Sequence, residues 1–259
     1  MNRLPAIKAS KFHISSEPAS SSTPPLQSSP SRLAVGQPRR QRAVASQYSL
    51  FVPMHYERRY AYPLLVWLHG YGGSERELPQ LMPHVSVRNY VAAAVRGTAA
   101  VDRAGRGHTW EDTRQAAGVA AERVRECIDA AQAKWNVHAE RVFIAGQGCG
   151  GTMAMRVALQ YPEWFAGAVS LLGPLPSGGC ALNRVNQARR LPLMVAASSD
   201  STAYPQRRVA DDLRLLHAGG FALALRQYPG DDDLTTVMLS DMDRWIMGHV
   251  CPATAISLS

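Results

Sequence analysis

The sequence predicts an α/β protein: one mostly parallel, twisted sheet with helices on both faces. Three observations carry that expectation. Runs such as residues 63–68 (PLLVWL) and 90–95 (YVAAAV) are almost continuously apolar, as strands buried on both faces must be. Segments with helical spacing alternate with these runs, which implies right-handed β-α-β crossovers. Glycine-rich loops follow several of the runs, beyond the C-terminal strand ends where such sheets place their sites.

Taken in order, residues 48–53 (YSLFVP) read as an edge strand stopped by proline. The 63–68 strand ends in His69-Gly70-Tyr71-Gly72-Gly73, too rich in glycine to continue a ladder. The 90–95 strand is followed by Arg96-Gly97. Residues 113–135 are helical, with Ala117, Ala120, Ala121, Val124, Cys127, Ile128 and Ala131 on one apolar stripe. Residues 141–145 (RVFIA) form a strand, 146–151 a tight glycine turn, and 152–160 the start of another helix. Residues 166–172 and 191–197 read as strands. Gln206–Ala218 is a helix closed by Gly219-Gly220, residues 221–228 are the last strand and 234–247 the last helix.

Composition narrows the function. The 259 residues carry 28 basic and 20 acidic side chains, but residues 1–59 alone hold a net charge of +7, leaving +1 on the remainder. A nucleic-acid-binding face on the folded part is therefore not expected. Residues 14–32 are Ser- and Pro-rich and are followed by Arg39, Arg40 and Arg42, so 1–46 read as a disordered basic tail, 47–250 as the folded domain and 251–259 as a C-terminal tail. Cys127, Cys149, Cys180 and Cys251 have no spacing that suggests a zinc site or a disulfide scaffold. There is no apolar run long enough to span a membrane, and residues 1–12 lack the apolar stretch of a secretory signal. A cytoplasmic protein without cofactor or metal is the expectation.

Three segments in this order, PLLVWLHGYGG at 63–73, RVFIAGQGCGGTMAMRVALQYPEWFAGAVSLLGPLP at 141–176 and LRQYPGDDD at 225–233, give the chain a family likeness. Over about residues 47–248 it resembles the α/β-hydrolase superfamily, specifically the phospholipase/carboxylesterase group with its polyhydroxybutyrate-depolymerase-like esterases. The resemblance implies a serine on a strained strand–turn–helix elbow, a histidine base, a carboxylate orienting it, and two backbone N–H groups facing the oxyanion. Aligned by its glycines, the nucleophile position here is Gly148, and the histidine position falls on Asp232. Asp200 matches the triad acid, although Pro205 lies one residue late. The oxyanion donors implied are the N–H groups of Tyr71 and Cys149.

Glycine adopts the elbow's positive φ without the strain a serine bears there, so losing the nucleophile leaves a foldable scaffold. The expected protein is a catalytically impaired hydrolase that binds a small ester-like ligand or a protein partner. The alternative is an active ester or thioester hydrolase using Cys149, a thiol set one position off the elbow summit and lacking a base at the expected strand end. A third reading gives the basic tail a regulatory role. Asp231, Asp232 and Asp233 read as a helix N-cap and a complement to the helix dipole rather than a metal cluster. His69 reads as structural, and Trp110 as a pocket wall.

Overall fold

The computed structural model describes residues 47–178 and 184–251. The expected tail over 1–46, residues 252–259 of the expected C-terminal tail, and Cys180 lie outside them.

The strands in chain order are β1 (Tyr48–Phe51), β2 (Tyr62–Leu68), β3 (Val91–Val95), β4 (Ala99–Ala100), β5 (His108–Thr109), β6 (Val137–Gln147), β7 (Gly167–Leu171), β8 (Leu193–Ser198) and β9 (Leu223–Tyr228). Seven of them form one sheet in the order β1-β3-β2-β6-β7-β8-β9. Only β1 runs antiparallel in it, at the edge against β3; every other pairing is parallel. The short β4 and β5 pair separately as a two-stranded ribbon. The helices are α1 (Leu78–Val85), α2 (Arg114–Lys134), α3 (Cys149–Gln160), α4 (Val185–Ala188), α5 (Gln206–Ala218) and α6 (Thr236–Val250).

The continuous apolar runs have the cause the sequence implies. All seven residues of β2 are buried, and strand alternation sends Leu64, Val66 and Leu68 to one core and Leu65 and Trp67 to the other. The first core is closed by the alanine stripe of α2, by α3 and by Val209 and Leu216 of α5. The second is closed by Leu78, Leu81 and Met82 of α1 and by Met238, Leu239, Met242 and Ile246 of α6. Among the described residues no helix is long and apolar enough to cross a membrane.

Among the differences from the sequence reading, three have a clear physical reason. Helix α1 is absent from that reading, because Pro79 and Pro83 fall inside eight residues; Pro79 sits in the first turn, where no N–H is needed. Helix α3 begins at Cys149, not 152. Gly150 and Gly151 belong to the helix, and their lack of Cβ serves close packing rather than a long turn. Helix α6 is capped by the Thr235 side chain, which accepts from the Met238 N–H at 3.3 Å, so the three aspartates before it are not its N-cap.

Candidate active site

The turn between β6 and α3 is confined to Gly148, with φ 52° and ψ −122°. Its N–H donates to Leu171 O at 2.8 Å, tying the summit of the turn to the end of β7. The neighbouring glycines are sterically required. A Cβ on Gly150 would lie 2.3 Å from both Leu68 O and His69 O, one on Gly146 2.4 Å from Gly150 O, and one on Gly173 2.2 Å from Gly148 O. A Cβ on Gly148, by contrast, would meet nothing within 4 Å. The position expected to carry the nucleophile is thus the open one, and it presents a hydrogen atom.

Gly148 lines a cavity of about 460 Å³ with Cys149, Trp110, Asp112, Thr152, Ala203 and Arg208 among its walls. Leu172, also in the wall, is a non-glycine residue at φ 62°. Such a branched residue in the left-handed region carries strain, which the fold tolerates where a site needs a shaped wall.

The loop after β2 packs against this elbow, and His69 holds it. His69 is fully buried; its Nε2 accepts from the Gly97 N–H at 2.9 Å, and Nδ1 lies 2.7 Å from Gly70 O, an arrangement that requires the neutral ring with the proton on Nδ1. Burial lowers its pKa from 6.5 to about 4, against the opposing Gly70 bond and with help from nearby His108. The consequence for stability has a definite sign. Between pH 6.5 and 4 the unfolded chain takes up a proton that the folded ring refuses, so stability falls as pH falls, by on the order of 3 kcal/mol in total. Thermal melts from pH 7 to 4 are expected to show that decline, and His69→Gln to flatten it between pH 6.5 and 4.5; an unchanged slope in the variant would refute this role for the ring. Trp110 couples the same loop to the cavity: it is buried, lines the cavity, and its Nε1–H donates to His69 O at 3.0 Å. Tyr71 is 75% exposed and its side chain is not part of the wall. Trp164 stacks on Tyr161 with centroids 4.1 Å apart, also outside the cavity wall.

The loops after β8 and β9 are joined to each other. Asp232 stands at the expected histidine position, and its carboxylate accepts from the Ser201 hydroxyl, the Thr202 N–H (3.1 Å) and hydroxyl (3.1 Å), and the Ala203 N–H (3.2 Å). Partial burial opposes ionisation, but these donors outweigh it and hold the carboxyl below its ordinary pKa. Asp200 is exposed; its N–H donates to Gly230 O at 2.9 Å. Cys149 lines the cavity, and its Sγ lies 3.5 Å from Thr109 Oγ1. No histidine among the described residues lines the cavity. His108 and His138 sit in β5 and β6; His217 and His249 are on α5 and α6.

Sequence reasoning missed two charged clusters in this wall. The Asp112 carboxylate accepts from the Ser177 N–H (2.8 Å) and hydroxyl (2.6 Å) and from Arg156 Nε (2.7 Å), while buried Arg156 also donates to Ser177 O. These partners are far apart in the chain, and no spacing signals them. The second, Arg208 with Asp212 (3.0 Å), has the i,i+4 spacing of a helix pair and was readable in principle.

Comparison with known proteins places this arrangement. The family described as esterase PHB depolymerase matches residues 46–205. NocK of Nocardia uniformis subsp. tsuyamanensis, named as a candidate esterase, is 32% identical over 121 residues, 44% of this chain; the match spans 34% of NocK, about a third of its length. Among solved structures, the Bacillus cereus carboxylesterase (17% identity, 80% of this chain and 96% of that one, TM-score 0.63) is similar throughout the described fold. So are Zea mays acyl-protein thioesterase 2 (16%, 79% and 99%, TM-score 0.64) and Arabidopsis thaliana SOBER1 (21%, 73% and 100%, TM-score 0.61). At these identities the structural likeness establishes the fold alone, that of an α/β-hydrolase.

Proposed function

The chain belongs to the esterase PHB depolymerase family, and from that premise we propose that it is a hydrolase scaffold whose triad chemistry has been lost and whose cavity serves to bind. The single observation that carries this reading is Gly148: the residue at the summit of the elbow, facing the cavity, has no side chain. Acyl transfer on this fold begins with an oxygen or sulfur nucleophile at that point and a base to take its proton.

The base position supports the same conclusion. A carboxylate held below its usual pKa by hydroxyl and N–H donors is a poor proton acceptor near neutral pH, where an imidazole is well matched. Asp232 has four donors from Ser201, Thr202 and Ala203 around it and works as a strut between two loops.

The backbone half of the machinery does not depend on those side chains. Cys149 opens α3, so its N–H is among those that no intrahelical carbonyl reaches. The contact of Gly150 with Leu68 O and His69 O keeps the Tyr71 loop beside it. We assign the Tyr71 and Cys149 N–H groups as carbonyl-binding donors that hold an ester-like ligand without turning it over. Asp200 is assigned as the former triad acid.

The second reading has its own observation: Cys149, a residue with a thiol, lines the cavity. One assay separates the two. Hydrolysis of p-nitrophenyl acetate and butyrate is measured for the wild type, Cys149→Ala and Gly148→Ser/Asp232→His. The expected result is a background rate for the first two and a gain of about a hundredfold for the double variant, the scale of one restored general base acting on a nucleophile. A wild-type rate well above background that Cys149→Ala abolishes would establish the thiol enzyme instead.

A further inference from the structure

We infer that Arg208 makes the cavity below Gly148 selective for ligands that carry a carboxylate on a short apolar body. This deepens the binding role proposed above and rests on it. At about 460 Å³ the cavity falls in the range of small-molecule sites. Its walls divide sharply by chemistry. Trp110, Met153, Leu172, Pro174 and Leu175 supply apolar surface for a ligand body.

The polar groups are mostly committed already. Asp112 is occupied by Arg156 and by both donors of Ser177. The Thr152 hydroxyl donates to Pro174 O at 2.8 Å. Arg208 is different. Its Nε is 3.0 Å from Asp212 Oδ1 and its Nη2 donates to Leu175 O at 3.3 Å, while Nη1 has no acceptor among the described residues. The side chain is 45% exposed, so a ligand reaches it from the cavity, and its partner Asp212 is buried and pinned by the Leu175 N–H at 2.8 Å. The buried carboxylate therefore fixes one edge of the guanidinium and leaves the other free.

A fixed, planar, partly desolvated guanidinium edge matches the two oxygens of a carboxylate better than it matches a neutral carbonyl. Asp212 holds the Nε edge and weakens the positive field there, but the Nη1 end keeps no acceptor among the described residues, and the more distant charges do not cancel its preference. Asp112 across the cavity is neutralised by Arg156, and Asp232, behind the Ala203 wall, is saturated by its own loop donors. The apolar lining favours an organic acid over a free inorganic anion.

Calorimetric titration of the full chain with hexanoate and with its neutral isostere hexanamide tests this without altering the protein. Hexanoate is expected to bind at least about tenfold more tightly. The variant Arg208→Gln/Asp212→Asn, which removes both charges and leaves no buried carboxylate unpaired, is expected to abolish the preference, and Arg208→Lys to retain part of it. Equal binding of the two ligands by the wild type would overturn the charge selectivity while leaving a binding cavity in place. Failure of both ligands to bind at about 10 mM would overturn the cavity's binding role and this inference together. A preference that survives the double variant would overturn the assignment to Arg208.

Discussion

Gly150→Ala is expected to destabilise the domain by more than about 3 kcal/mol, a fall of roughly 10 °C in Tm, whereas Gly148→Ala two residues earlier costs about 1 kcal/mol. The added methyl at Gly150 would sit 2.3 Å from Leu68 O and His69 O. Both are main-chain atoms at the end of β2, a strand hydrogen-bonded on each side to β3 and β6, so neither can yield without breaking the sheet. At Gly148 the methyl meets nothing within 4 Å, and the cost is only that of a side chain at positive φ. Part of that cost is offset because alanine restricts the unfolded chain. Paired thermal melts by circular dichroism check the difference. Similar losses for the two variants would mean that the elbow glycines are interchangeable, contrary to the packing around them.

Asp232→Ala is the second large effect, with an expected loss of about 2 kcal/mol, or ~4–8 °C in Tm. The carboxylate is the shared acceptor for Ser201, Thr202 and Ala203, and the Ser201 hydroxyl it receives is in turn the acceptor for the Tyr204 N–H at 2.8 Å. Removing it leaves those donors to water and frees a loop whose Ala203 forms cavity wall and whose Tyr204 is fully buried. The sign with pH follows from the lowered pKa: the stabilisation is complete above the ordinary carboxyl value of 3.8 and is lost as pH falls through the lower folded value. The gap between the two melting curves should therefore close in strong acid. An Asp232→Ala protein as stable as the wild type at neutral pH would show that Asp232 is no strut. The same contacts imply that Asp232→His, needed to rebuild a base, gives up stability as it restores chemistry.

The sheet was legible because burial on both faces leaves a strong trace: an almost unbroken apolar run such as PLLVWL, six residues long and bounded by proline and a glycine loop, fits a buried strand and is too short for a helix. Helix α2 was legible from its alanine stripe, while the Thr113 cap, which accepts the Ala116 N–H at 3.1 Å, is seen only in the structure. Helix α1 was not, since prolines weigh against a helix unless their place in the first turn is known. The elbow could be located by its glycines, but sequence cannot say which glycine is sterically forced and which is open. That distinction depends on the Leu68 and His69 carbonyls at the end of β2 and on the Ser170 hydroxyl of β7, far away in the chain. The same limit hid the Asp112–Arg156–Ser177 cluster and gave Asp232 the wrong local role. An aspartate before a helix suggests a cap; only the fold brings the 201–203 loop within reach of it.

Whether any nucleophile acts at the elbow is tested most directly by the rate of p-nitrophenyl butyrate hydrolysis, measured for purified wild-type protein beside the Cys149→Ala variant. With only a hydrogen atom at the summit, the two rates should be indistinguishable and at the buffer background. Turnover by the wild type that disappears with the thiol would contradict the loss of triad chemistry proposed for this scaffold.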